Sequence, residues 1–335
     1  MTDDGSPGTR RVPVVDLRRR AQSLEPGLSE AVARVVRSGS YLFGPELDAF
    51  EAEFAAFTGR RHAVGVASGT DALRLSFTAV PTAAAVCAAG ATPVFVDVDP
   101  HTATIDPGCA RAAVTERTRA VVPVHLYGRP AAIPDLGLPV VEDGAQAHGA
   151  LDPHAGSATA AYSFYPTKNL GGIADGGAVV TDDDEVAATL RLLRAHGAAR
   201  DYVHTRVSTN ARLSEVAAAA LRVGLPRLAA DNRRRREIAA RYRAAAPELC
   251  WQADHERHVF HLCVARVPDR PAFRSRVSFD TGVHYPRALT QQPAYREFVR
   301  QPCPEAEGWA AECVSFPCFP EMTDDEIEVV CRAIR

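Results

Sequence analysis

The chain has 335 residues, a formal net charge of −3, 46% hydrophobic residues and 24% charged residues. That length exceeds one small core and predicts two domains, and the near-balanced charge gives no basis for a nucleic-acid or acidic-membrane partner. No apolar run approaches the roughly 20 residues that span a bilayer, and the polar stretch from Met1 to Arg11 has no signal-peptide core.

Leu28 to Val36 carries apolar residues at helical spacing and stops at Ser38-Gly39. Glu46 to Phe57 predicts a second amphipathic helix, with Leu47, Phe50, Phe54 and Phe57 on one face. His62 to Ala67 reads as a strand that runs into Ser68-Gly69-Thr70-Asp71 and then a helix from Ala72 to Phe77. A strand that ends in Ser-Gly-Thr at a helix start presents free N–H groups and a hydroxyl to an anion such as phosphate. Plain helix capping by Ser68 or Thr70 is the alternative. Thr82 to Ala89 predicts a helix ending at Gly90, and strands are expected at Pro93–Val98, Thr118–Leu126, Pro139–Glu142, Ala160–Phe164 and Gly177–Thr181. Strands alternating with helices predict a mostly parallel central sheet with helices on both faces.

From Leu213 the pattern changes. Leu213 to Ala245 is nearly all helical, and its basic run Arg233 to Arg236 reads as a solvated helix face, since no aromatic stripe accompanies it. Strands at Val259–Val267 and Val283–Tyr285 and helices near Pro271–Arg276, Tyr295, Glu305–Cys313 and Thr323–Ile334 complete a smaller α+β unit. The expected division is residues 1–212 and 213–335. The eight cysteines are irregularly spaced and form no C-x-x-C, so reduced thiols and a cytoplasmic setting are expected. His255 and His258 have no partner set for a metal, and no metal site is expected.

Lys168 is the only lysine among 38 basic residues. Arginine stays protonated, whereas a desolvated lysine amine can lose its proton and attack a carbonyl. A lone lysine on the loop after a buried strand is therefore a candidate Schiff-base nucleophile, the alternative being the one lysine left by an arginine-favouring composition. Asp143, after the Pro139–Glu142 strand, stands where α/β sheets bind ligands, although it could instead cap the following turn. One chemistry uses all three features. Pyridoxal phosphate needs a lysine for its aldehyde, a carboxylate for its ring nitrogen and a cradle for its phosphate. Lys168, Asp143 and Ser68-Gly69-Thr70 supply these.

These residues sit in motifs that resemble the DegT/StrS-type aminotransferases, pyridoxal-phosphate enzymes acting on keto groups of nucleotide-linked sugars. The matching stretches include Gly44-Pro45-Glu46-Leu47, Ser68 to Leu73, Gly90 to Asp97, Pro123 to Gly128, Glu142 to Gly149, Ser163 to Gly171, Asp175 to Ala178, Asn210 to Leu213 and His284-Tyr285-Pro286. The resemblance covers about residues 12–335 and implies a fold-type-I α/β aminotransferase with glutamate as the expected donor. Ser163 to Asn169 looks closest to members that aminate the sugar 3-position. The resemblance implies that Lys168 holds the cofactor and moves the proton, Asp143 pairs with the ring nitrogen, and Gln146 lies by the ring hydroxyl. Gly69, Thr70 and Ser163 hold the phosphate. Asn210 reaches the cofactor phosphate of the other subunit, which implies a homodimer with shared sites. Arg212, His284 and Tyr285 face the substrate.

The chain departs from the family pattern at several places. After Leu75 roughly 15–20 residues are absent, about the length of a turn and a buried strand. Pro130 to Leu138 is too short for the usual helix. Ala79 stands where an aromatic stacks on the cofactor ring, with Phe77 offset by two. Thr290 replaces a substrate-side histidine, and Gly144 follows Asp143 where Ala or Cys is usual. These departures motivate an alternative: a pyridoxal-phosphate-binding or partner-binding homologue that lost catalysis with the missing strand. A dehydratase of the same fold typically carries His in place of the lysine, and Lys168 argues against it.

Overall fold

In the computed structural model, which describes residues 11–76, 80–133, 135–152, 157, 159–198 and 203–335, three N-terminal helices lead into the first sheet. They are α1 (Leu17–Leu24), α2 (Gly27–Ser38) and α3 (Pro45–Thr58). Helix α2 stops at Gly39, which takes φ +68° as the expected C-terminal stop. Helix α3 begins with Pro45 at its first turn, and its free N-terminal amides are satisfied from across the fold. The buried Glu215 carboxylate accepts from Gly44 N at 3.0 Å, Glu46 N at 2.9 Å and Leu47 N at 3.0 Å. Leu47, Phe50 and Phe54 face inward and pack with Tyr162, Phe164, Leu170 and Leu213.

Strand β1 (His62–Val66) is followed by α4 (Gly69–Ser76), α5 (Val80–Ala88) and α6 (Pro107–Ala113). The sheet is completed by β2 (Glu142–Asp143), β3 (Thr159–Ser163) and β4 (Gly177–Thr181), in the order β1-β4-β3-β2. Strand β4 is antiparallel to both β1 and β3, whereas β2 and β3 are parallel. Residues 121–125 extend the sheet beyond β2 through parallel bridges at Val121–Val140 and Val124–Asp143. Four of these five extended segments therefore run one way and β4 runs against them, as a mostly parallel sheet requires.

The expected strand at Pro93–Val98 forms only one bridge among the described residues, Val98 to Ile105. The 121–125 segment explains why. Val121, Pro123 and His125 use their backbone groups toward residues 139–143. By strand alternation the groups of Val122 and Val124 point to the other side, where no described residue pairs with them. That side opens into a cavity also lined by Val94 and Val96. A chain shortened by about one strand after Leu75 leaves such a gap. Phe77, Thr78 and Ala79, where the resemblance places a ring-stacking aromatic, lie outside the described residues.

Helix α7 (Asp184–Leu193) returns over the sheet, and α8 (Glu215–Gly224) and α9 (Leu228–Ala245) follow. Leu213 was expected to open the smaller unit, yet Leu213, Ala217, Leu221 and Leu228 all pack with the first core. The second core takes over within α9, from Ile238 and Tyr242. It is built on β5 (Cys250–Trp251), β6 (Cys263–Arg266) and β7 (Cys313–Phe316), all antiparallel, with α10 (Arg270–Arg276), α11 (Pro304–Glu312) and α12 (Asp324–Ile334). Val283–Tyr285, expected as a strand, is not one: the nearby pairing is the single bridge Gly282–Ser315. Strand β6 covers only part of the expected Val259–Val267, because Phe260 takes a positive φ of 42° that breaks extension. All eight cysteines are free thiols, and among the described residues no helix is long and apolar enough to cross a membrane.

Candidate active site

The cavity beside the 121–125 segment has a volume of about 1630 Å³ and runs to the C-terminal ends of β1, β2 and β3. It exceeds the roughly 300–1,000 Å³ of a usual small-molecule pocket because the strand gap opens into it. Gly69, Thr70, Asp143, Gln146, Ser163, Lys168, His284 and Tyr285 all line it. Asn210 and Arg212 do not. They lie together at the surface, with Arg212 Nε donating to Asn210 Oδ1 at 2.7 Å and the guanidinium 5.8 Å from the Phe43 ring.

Lys168 follows a tight turn after β3. Its amide donates to Tyr165 O at 2.8 Å. A Cβ on Gly171 would meet Pro166 O at 2.2 Å, so the loop closes only with glycine there. Arg20 of α1 donates to Asn169 O at 2.9 Å, and Asn169 Nδ2 donates to Asn232 Oδ1 at 2.8 Å and Val259 O at 2.9 Å. The loop is thus fixed from three elements. Burial pulls the Lys168 amine down to about 8, against the opposing pull of the Asp143 charge.

Asp143 is 4% exposed. Desolvation pushes its carboxyl above the usual carboxylate range, opposed by the Ala145 amide, the Thr82 hydroxyl and the Lys168 charge. Oδ1 accepts from Ala145 N at 2.9 Å, so the carboxylate does cap its own turn, and Oδ2 accepts from Thr82 Oγ1 at 2.9 Å. Gly144 after it is explained by packing, since a Cβ there would lie 2.9 Å from the Tyr162 ring. Gln146 is oriented at both ends. Its Oε1 accepts from Tyr127 N at 2.6 Å, and its Nε2 donates to the Tyr285 phenol oxygen Oη at 3.3 Å. Tyr127 in turn donates its hydroxyl to His284 O, and His284 Nδ1 is 2.8 Å from Ser315 Oγ. Thr290 lines the cavity with its hydroxyl donated to Glu307 at 2.8 Å.

The anion cradle lies at the start of α4. Ser68 Oγ accepts from Asp71 N at 3.0 Å and therefore caps the helix, while Gly69 and Thr70 line the cavity. A Cβ on Gly69 would sit 2.5 Å from Ser163 Cβ, so glycine lets the helix start approach the Ser163 hydroxyl. Thr82 escaped the sequence reading because it lies in the first turn of α5, outside any motif. Arg20 and Asn232 escaped it because their partners are 149 and 63 residues away.

The residues fit pyridoxal phosphate on three observations: a lysine on the cavity wall, a buried carboxylate on the same cavity, and a glycine-permitted cradle between α4 and Ser163. When bound, that group supplies an aldehyde for an amine and a ring that withdraws electrons. Lys168 would hold it and carry the proton, Asp143 would keep a proton on the ring nitrogen, Gln146 would meet the ring hydroxyl, and Gly69, Thr70 and Ser163 would hold its phosphate.

Fold and site together define a fold-type-I aminotransferase. The chain belongs to the DegT/DnrJ/EryC1/StrS aminotransferase family, whose model matches residues 23–335. It is 42% identical to the dTDP-3-amino-3,4,6-trideoxy-alpha-D-glucose transaminase of Streptomyces venezuelae, over 98% of this chain and 96% of that one. It is 38% identical to the dTDP-3-amino-3,6-dideoxy-alpha-D-galactopyranose transaminase of Aneurinibacillus thermoaerophilus, over 96% and 98%. Its structure superposes on the crystal structure of S. venezuelae DesV in complex with a ketimine intermediate with a TM-score of 0.91, at 40% identity and 98% coverage of both chains. The first alignment spans 364 positions, and 98% of 335 residues is about 328. About 36 positions of that relative thus have no counterpart here, in keeping with the shortened segments.

The lowered Lys168 amine has a measurable consequence. At pH 7 about one amine in eleven is neutral, against roughly one in 3,000 at the ordinary value, a difference of about 300-fold. The rate at which the cofactor-free protein captures pyridoxal phosphate should rise about tenfold per pH unit and level off near pH 8. Stopped-flow absorbance across pH 6–10 checks this, and a rise that continues to pH 10 contradicts it.

Proposed function

We propose that this chain transfers the amino group of glutamate to the keto group of a nucleotide-linked sugar, at the sugar 3-position, using pyridoxal phosphate. The carrying observation is the gathering of Lys168, Asp143, Gln146, Gly69, Thr70 and Ser163 around one cavity. His284 and Tyr285 at the same cavity are the substrate-side groups. The impaired-homologue reading would need one of these groups displaced, and each of them lines the cavity despite the strand gap. The relatives named above, at 42% and 38% identity, are 3-amino-sugar transaminases, which supports the 3-position. The test is to supply glutamate and a dTDP-linked 3-keto sugar and identify the product by mass spectrometry and NMR. A 3-amino sugar with loss of glutamate is expected, and unchanged keto sugar across a panel of amino donors would defeat the reading.

The working unit in this reading is a homodimer of a cytoplasmic enzyme, with Asn210 and Arg212 serving the partner's site. Tyr41, Leu42 and Phe43 are 52%, 44% and 46% exposed beside Arg212, and such an apolar stretch favours an interface. A mixture of Lys168→Ala and Asn210→Asp chains then contains heterodimers with one intact site each. Equal mixing with subunit exchange should recover about a quarter of wild-type activity from two nearly inactive parents. No recovery would place Asn210 in its own chain's site or outside any site.

A further inference from the structure

The buried Asp143 carboxylate is held at both oxygens, and the two holders differ in kind. Ala145 N is part of the turn that Asp143 itself begins. Thr82 Oγ1 comes from α5, 61 residues earlier, and it is itself 8% exposed. Helix α5 is the first element after the shortened segment, and Thr82 lines the same cavity as Val122 and Val124. Threonine is stiff at its first side-chain torsion, and an ionised carboxylate can only accept, so the hydroxyl proton must point at Oδ2. With roughly four acceptor positions on a carboxylate and two of them taken here, positions remain for a ring N–H.

We propose that Thr82 is a positioning residue for the cofactor: its hydroxyl keeps the Asp143 carboxylate ionised and in one orientation. This rests on the pyridoxal-phosphate reading and extends it to a residue outside the family motifs quoted above. The sign follows from the donor. A hydrogen bond to the charged form favours that form, and burial opposes it. Removing the hydroxyl raises the Asp143 pKa further, so on acidification the carboxylate loses its charge at a higher pH.

The experiment titrates the cofactor-free protein with pyridoxal phosphate by absorbance and fluorescence, from pH 4.5 to 8, for wild type, Thr82→Val and Thr82→Ser. The valine variant keeps the shape and removes the donor. It should raise the cofactor dissociation constant about tenfold and move the acid limb of binding up by about one pH unit, the effect of one charge-assisted hydrogen bond. The serine variant, which keeps the donor, should stay within about twofold of wild type at neutral pH. If the valine protein does not fold, Thr82→Ala against Thr82→Ser gives the same comparison. A packing role alone would weaken binding equally at every pH and would not separate serine from alanine by donor, so an unmoved acid limb overturns the proposal. Wild-type protein that binds no pyridoxal phosphate would overturn the functional reading, and this inference with it.

Discussion

Lys168→Ala is expected to lower transamination by about 10⁴-fold with cofactor in excess, because in the proposed reading it removes both the amine that would hold the cofactor and the group that would move the proton. Lys168→Arg should fare no better. It preserves the charge beside Asp143, but a guanidinium stays protonated and cannot capture an aldehyde. The pair therefore separates nucleophile from cation. The measurements are steady-state turnover and, for capture, borohydride reduction followed by mass spectrometry of the peptide carrying position 168. Loss of labelling in both variants with an unchanged melting temperature is the expected result. The remainder of the loop is held by Arg20, Asn232 and the Val259 carbonyl, none of which touches the Lys168 amine, so the fold should survive. Full turnover in Lys168→Ala would remove the lysine from the mechanism.

Asp143→Asn should lower the half-reaction with glutamate by roughly 10²–10³-fold, the usual effect of deleting one preorganised electrostatic partner. The neutral amide cannot hold a proton on the ring nitrogen by charge. A second effect runs the other way. The Asp143 charge now raises the Lys168 pKa, against burial. Without it the amine titrates below about 8, so the pH midpoint of cofactor capture should move down while turnover falls. Opposite movements of capture and turnover distinguish loss of the charge from general damage to the site. A variant in which both quantities fall together, with no change in the capture midpoint, would argue that Asp143 serves the turn that it caps at Ala145 and not the cofactor.

Much of the site was legible because its residues sit next to backbone features with strong local signals. The Ser68-Gly69-Thr70 turn, the glycines after Lys168 and the strand before Asp143 announce themselves by residue type and spacing, and Ser68, Gly69, Thr70, Lys168 and Asp143 all line the cavity. The capping alternatives were true as well. Ser68 caps α4 and Asp143 caps its turn, since a group with more than one acceptor position can satisfy a local amide and still face a ligand. Less visible were the residues that orient the site from far along the chain. Thr82, Arg20 and Asn232 act across 61, 149 and 63 residues, and no periodicity encodes such contacts. The strand expected at Pro93–Val98 misled for a different reason. Its apolar run suits a buried strand, but pairing needs a neighbour, and Val122 and Val124 carry no partner on that side among the described residues. Propensity is a property of the segment, whereas a strand is a property of a pair. Gly144 shows the reverse case, an apparent departure from the family pattern that the Tyr162 ring accounts for at 2.9 Å.

The central claim is that Lys168 binds pyridoxal phosphate covalently in a site competent for amino transfer. The most direct measurement is the visible absorption spectrum of the purified protein with pyridoxal phosphate, recorded before and after addition of glutamate. The account predicts a yellow band, absent in Lys168→Arg, that bleaches as glutamate gives up its amino group. A protein that develops no band with excess cofactor would contradict it, because the gap beside residues 121–125 would then have cost the chain its site.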